Sequence, residues 1–113
     1  MIYEDWLKEY ECVNLTLEDY KAIVPKYLSN LKDCSKILHD NPNYAALRAV
    51  MHTIVGSSGG MRHAKMLDIT RDHQKVLKED YENFSMGAFL KDFNSEVNSL
   101  LKECSSLGVD YQF

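Results

Sequence analysis

Three cysteines, two prolines and five glycines are all that 113 residues contain of the types that staple, break or loosen a chain. Cys12, Cys34 and Cys104 are odd in number and show no Cys-x-x-Cys spacing, so neither a disulfide framework nor a zinc site is expected, and a reducing cytoplasm suits them best. The scarcity of proline and glycine leaves room for long helices. No apolar run approaches the roughly 18 residues that a bilayer span needs, and no basic-then-apolar leader opens the sequence, so a soluble, unexported chain is expected. Also missing are a Walker loop, a nucleophile elbow, a His-Glu-x-x-His pair and the Glu-x-x-His pairs of di-iron bundles. A net charge of −4 argues against nucleic acid as a partner.

What is present reads as helix throughout. With 45% hydrophobic residues, a chain of this length can bury one core, and one domain is expected over residues 1–113. Ile2, Tyr3, Trp6, Leu7 and Tyr10 recur at helical spacing and predict a short first helix with an aromatic face, set over one end of the fold. Thr16 with Asp19 reads as a capping box ahead of a long helix whose stripe runs from Leu17 to Leu38. Pro25 falls inside it, so either this helix kinks or two helices abut there. A turn at Asp40 to Asn43 follows, with Asn41 as the cap and Pro42 at the first helical position of the next helix. Further helices are predicted from about Met61 to Glu79 and, after a cap at Ser85, from Met86 to a stop near Gly108. The expected architecture is an antiparallel up-down four-helix bundle with a short additional N-terminal helix.

The stretch LRAVMHTIVGSSGGMR, residues 47–62, stands apart from the rest. Leu47, Val50, Met51, Ile54 and Met61 fall in one apolar stripe at about 100° per residue, and His52 points away from it. Around His52 on the outward face are Ala45, Ala49, Gly56 and Gly59, so another protein can approach the helix backbone with the imidazole as the only projecting group. Adjacent Gly59 and Gly60 cost about 1 kcal/mol each relative to alanine inside a helix, which implies either close access or a helix end. Charge is distributed to match. Between Tyr44 and Lys78 six bases face two acids, whereas the remainder carries seven bases against fifteen acids. A locally positive region around an exposed histidine favours a phosphoryl group or an acidic partner.

The pattern His52, Ile54, Gly56, Ser57, Ser58 resembles the His-x-Leu-Lys-Gly-Ser-Ser signature of histidine-containing phosphotransfer domains, the HPt modules of multistep phosphorelays. The resemblance covers the motif closely and the rest of the chain through helix number, length and order, and it favours a single kinked helix through Pro25. It implies that His52 carries a phosphoryl group between the aspartates of two receiver domains, with Gly56 admitting the partner and Ser57 in a structural role, bonding back into its helix. Gln74, on a helix face shared with Leu67, Arg71 and Lys78, takes the place of a glutamine that hydrogen-bonds the imidazole, and Lys78 that of a basic residue four positions later. Two departures stand out. The usual lysine three residues after the histidine is Val55, for which Arg48 or Lys78 must substitute, and the glycine six residues after Gly56 is Arg62, so the following turn differs.

On this reading the receiver-docking face comprises Ala45, Ala49, Val55, Gly56, Gly59 and Arg71, the partners are receiver domains and a hybrid sensor histidine kinase, and the chain acts as a cytoplasmic monomer away from membranes. No intrinsic cofactor or metal is expected, since Mg2+ belongs to the receiver. An imidazole, with an ordinary pKa of about 6.5, is nucleophilic near neutral pH without a base of its own. The alternative is a degenerate module that docks receiver or kinase domains without phosphotransfer, as Val55 would favour. His39 at a helix end, and His63 and His73 beside a charged helix, are expected to take no part in chemistry.

Overall fold

The computed structural model describes residues 2–113, and among them it is all-helical. Five α-helices follow in order: α1 (Ile2–Tyr10), α2 (Leu17–His39), α3 (Tyr44–Gly60), α4 (Ala64–Glu79) and α5 (Met86–Ser106). Single 3-10 turns at Glu11–Val13 and Tyr81–Asn83 bridge two of the links. No helix among the described residues is long and apolar enough to cross a membrane.

Local chemistry explains most of the boundaries. The Thr16 hydroxyl accepts the Asp19 amide at 3.4 Å while the Asp19 carboxylate accepts the Thr16 amide at 2.7 Å, a reciprocal cap that satisfies two otherwise orphaned donors. Ser85 caps α5 by accepting the Ala88 amide at 3.1 Å. The cap of α3 is Asn43, whose side chain accepts the Ala46 amide at 2.8 Å, and not Asn41, so Pro42 precedes the helix instead of opening it. Asn41 itself takes a positive φ of 49°, which commits it to the turn. α2 runs through Pro25 as one helix because the pyrrolidine removes only one amide donor while seven buried side chains hold the helix to the core. α4 begins three residues later than the stripe alone indicates, because Arg62 adopts φ 56° and reverses the chain. Arg62 therefore occupies in left-handed geometry the position where the resemblance leads one to expect glycine.

From α2 to α5 each helix packs against the next. Leu38 and Leu47 line a common cavity beside the α2–α3 turn, whereas Ser57, near the end of α3, reaches Asn30 in the middle of α2. His73 of α4 meets Asp92 of α5, and His63, just before α4, shares a cavity with Ser99 and Glu103 towards the end of α5. One core results, in which Tyr20, Leu28, Leu31, Met51, Ile54, Met66, Leu77, Phe89, Phe93 and Leu100 are fully shielded. α1 closes one end of it. Trp6 is buried between the rings of Tyr10 and Tyr20, and the Glu103 carboxylate of α5 accepts the amides of Ile2 and Tyr3 at 3.2 and 2.9 Å, neutralising the start of α1. Tyr10 donates to the Gly60 carbonyl at 2.8 Å and Arg62 pairs with Glu9 at 2.6 Å, so the same end fixes the turn between α3 and α4. The segment after α5 returns along α2, where Tyr111 and Ser29 share a hydroxyl hydrogen bond of 2.7 Å.

Candidate functional site

In α3 the residues Leu47, Val50, Met51 and Ile54 are buried and His52 is exposed, as an amphipathic helix with its apolar stripe turned inward requires. α3 and α4 lie side by side, and the first half of α3 faces the last turns of α4. A groove of about 380 Å³ results, lined by Tyr44, Ala45, Arg48, Ala49 and His52 from α3 and by Gln74 and Lys78 from α4. Its lining holds two cations and no carboxylate. The Arg48 guanidinium lies over the Tyr44 ring, 5.7 Å from its centroid, an arrangement that holds a flexible cation at the rim.

His52, Gln74, Lys78 and Arg48 thus share one groove, together with Ala45 and Ala49. No hydrogen bond joins Gln74 to the imidazole, however. Gly56 is exposed one turn beyond His52, and a side-chain carbon placed on it would meet nothing within 4 Å, so the helix backbone is open to approach there. Val55 is half-buried and Arg71 exposed, both outside the groove. Gly59 lies further along α3, beside a separate cavity lined also by Asp5, Ser58, Arg62, Ala64 and Leu67.

The two serines of the motif divide their work differently from the sequence expectation. Ser58, fully buried, bonds back into its own helix by donating to the Ile54 carbonyl at 2.6 Å. Ser57 instead donates to the Asn30 side chain of α2 at 2.7 Å, tying α3 to its neighbour. Ser57→Ala should cost about 1 kcal/mol of stability, the usual worth of one such bond, and should leave the reactivity of His52 unchanged. Urea unfolding followed by circular dichroism checks the first expectation; a loss of reactivity at unaltered stability would contradict the second.

His63 is the residue that sequence reasoning misplaced. It is not a flank of a charged helix but a core group, 2% exposed, with Nδ1 2.7 Å from the Tyr27 hydroxyl. Burial pushes its pKa down to about 4, because the apolar surroundings penalise the imidazolium. The same burial raises the Tyr27 phenol well above its ordinary value. His63 directly follows Arg62, the left-handed residue of the α3–α4 turn, and a buried histidine has no signature in periodicity when it lies outside a helix. His73 donates from Nε2 to the Asp92 carboxylate at 2.8 Å and joins α4 to α5, while His39 Nδ1 lies 2.8 Å from the Ser35 carbonyl at the end of α2. No group of three or more metal-binding side chains occurs among the described residues. Tyr44 and Tyr81 are the other members of the surface that the sequence did not single out; their rings meet at 5.3 Å at one end of the groove.

Comparison with protein-family models, with curated proteins and with solved structures returned no match for this chain.

Proposed function

We propose that this chain is a phosphorelay carrier of the histidine-containing phosphotransfer type, in which α2 to α5 form an antiparallel up-down four-helix bundle and α1 caps one end. His52 accepts a phosphoryl group from the aspartyl phosphate of one receiver domain and passes it to the aspartate of another. The observation that carries this reading is an exposed imidazole in a groove with Arg48 and Lys78, no carboxylate, and bare helix backbone at Ala45, Ala49 and Gly56 beside it.

The chemistry needs little more from this chain. A lone pair on one ring nitrogen attacks phosphorus, the N–P bond forms, the P–O bond to the aspartyl group breaks, and that aspartate leaves as a carboxylate. Phosphoryl transfer depends chiefly on in-line positioning and on neutralising charge over the equatorial oxygens, which the cations of the groove and the Mg2+ of the receiver provide. Without an acid or base beside it to activate water, a phosphohistidine in this groove persists long enough to be handed on. The carrier works as a cytoplasmic monomer, taking its group through a hybrid sensor kinase and its receivers.

Incubation with a phosphorylated receiver domain tests the reading: wild-type protein should acquire acid-labile, alkali-stable label. A second reading rests on Val55, which replaces the cation usual beside the phosphate. A docking module without chemistry would bind the receiver, retain that binding in His52→Ala, and never form phosphohistidine. On the carrier reading, Val55→Lys adds a third cation one turn from His52 and should lengthen the half-life of the phosphorylated form about three- to tenfold, near 1 kcal/mol for a partly exposed ion pair. A half-life unchanged by Val55→Lys would mean that Arg48 and Lys78 already saturate the charge requirement.

A further inference from the structure

Two of the large apolar side chains most open to solvent lie together: Tyr44 is 39% exposed and Tyr81 is 59% exposed, and their rings meet edge to face with centroids 5.3 Å apart. Tyr44 opens α3 and lines the His52 groove, whereas Tyr81 belongs to the 3-10 turn after α4 and borders the cavity between the two links at that end of the fold. Arg48 lies over the Tyr44 ring, its guanidinium 5.7 Å from the centroid. Two tyrosines and an arginine held against one another on the surface are the residue types that dominate binding energy at protein interfaces, because they bury much area and lose little conformational freedom. Rings already held edge to face lose little further freedom on binding.

Distance and charge select the partner. Tyr44 precedes His52 by eight residues, about 12 Å along a helix, and a stable interface covers about 800 Å² on each side, a patch about 30 Å across. An interface centred on His52 therefore reaches Tyr44 and, through it, the ring of Tyr81 that packs on it. The groove between His52 and Tyr44 presents Arg48 and Lys78 and no acid, whereas Glu82 lies beyond Tyr81 on the cavity that both line, so the matching surface is acidic towards His52 and apolar where it meets the tyrosines.

We propose that Tyr44, Arg48 and Tyr81 form a preorganised ledge that anchors and selects the receiver domain serving His52, through an apolar side chain set beside the acidic phosphoryl pocket of that receiver. The ledge rests on the phosphocarrier reading and adds the surface that chooses the partner. Tyr81 acts on docking alone, whereas Arg48 also serves the phosphoryl oxygens and Tyr44 holds Arg48 at the rim.

Two phosphoryl donors separate these roles. A phosphorylated receiver domain must dock, whereas phosphoramidate carries no protein surface and labels an exposed imidazole by releasing ammonia. Tyr81→Ala and Tyr44→Ala should each raise the KM for the phosphorylated receiver about tenfold, as loss of an interface anchor does. In Tyr81→Ala, which leaves Tyr44 and Arg48 in place, kcat should hold within about twofold and labelling by phosphoramidate and the thermal midpoint should stay at wild-type values; Tyr81→Phe should restore the receiver KM, and Tyr81→Glu should weaken docking further by repelling the acidic face. Label reaching the wild type from the receiver, with KM unchanged in both alanine variants, overturns the ledge alone. Equal losses with both donors in Tyr81→Ala would assign that tyrosine to folding and also overturn it. If neither the receiver nor phosphoramidate labels wild-type protein, the carrier reading falls and the ledge with it.

Discussion

Replacing His52 with glutamine should abolish acceptance of label from a phosphorylated receiver domain, down to background, while leaving the fold intact. Glutamine places an amide near the position of the ring nitrogen but offers no lone pair that can attack phosphorus, so the nucleophile is removed with little change in shape. The separation from stability is clean because His52 is exposed in mid-helix and forms no hydrogen bond, and surface substitutions of that kind shift stability by no more than about 0.5 kcal/mol. Label should also remain absent when phosphoramidate is the donor. Among the remaining histidines, His63 is buried, and His73 and His39 are held by Asp92 and by the end of α2. Undiminished label on His52→Gln would sink the assignment and turn attention to His73, the partly exposed member of the α4–α5 pair.

Mild acid should destabilise the protein through His63. Its folded pKa, lowered to about 4, lies below the ordinary imidazole value near 6.5, so the unfolded chain takes up the proton first. The contribution is therefore fully present above about pH 6.5 and is lost progressively as pH falls towards 4. A shift of this size corresponds to about 3 kcal/mol. The cavity beside His63 is lined by Asp5, Arg62, Lys65, Glu96 and Glu103, charges of both signs, so burial rather than any one neighbour sets the direction. Urea midpoints measured from pH 7 to pH 4 should fall steeply in that window. The pair variant Tyr27→Phe with His63→Leu removes both partners together, so no orphaned hydroxyl is left, and should flatten the curve there. If the double variant keeps the wild-type slope, the acid sensitivity belongs to the carboxylates instead.

The two predictions meet at the α3–α4 turn. His63 and Tyr27 pin the end of that turn to α2, Tyr10 and Arg62 pin it to α1, and the register of α4 along α3 follows from those anchors. That register brings Gln74 and Lys78 to the level of His52. Protonation of His63 therefore loosens the element that aligns the groove, although His63 lies outside it.

Helix order, the buried stripes and the outward direction of His52 were legible in the sequence, because each is a consequence of side-chain spacing along one helix. The caps at Thr16 and Ser85 were legible for the same reason, being contacts across three residues. The α3 cap is equally local, yet two asparagines precede that helix, and it is Asn43, not Asn41, that accepts the Ala46 amide. The other departures rest on contacts that are not local: Ser57 turns to Asn30, and Glu96 and Thr70 enter the core although their residue types usually stay outside.

By itself, then, the order of residues determined that five helices form, which face of each is apolar, and that an imidazole projects between small residues on one of them. Only the packed structure decided that Arg48 and Lys78 flank that imidazole from two different helices, that Gln74 enters the groove without bonding to the ring, that His63 is shut away behind Tyr27, and that Tyr44 meets Tyr81. The physical reason is the range of the interactions. Helix formation and amphipathic patterning act over three or four residues, whereas each of these placements depends on how far one helix slides along the next, which is set by turn geometry and core volume summed over the whole chain.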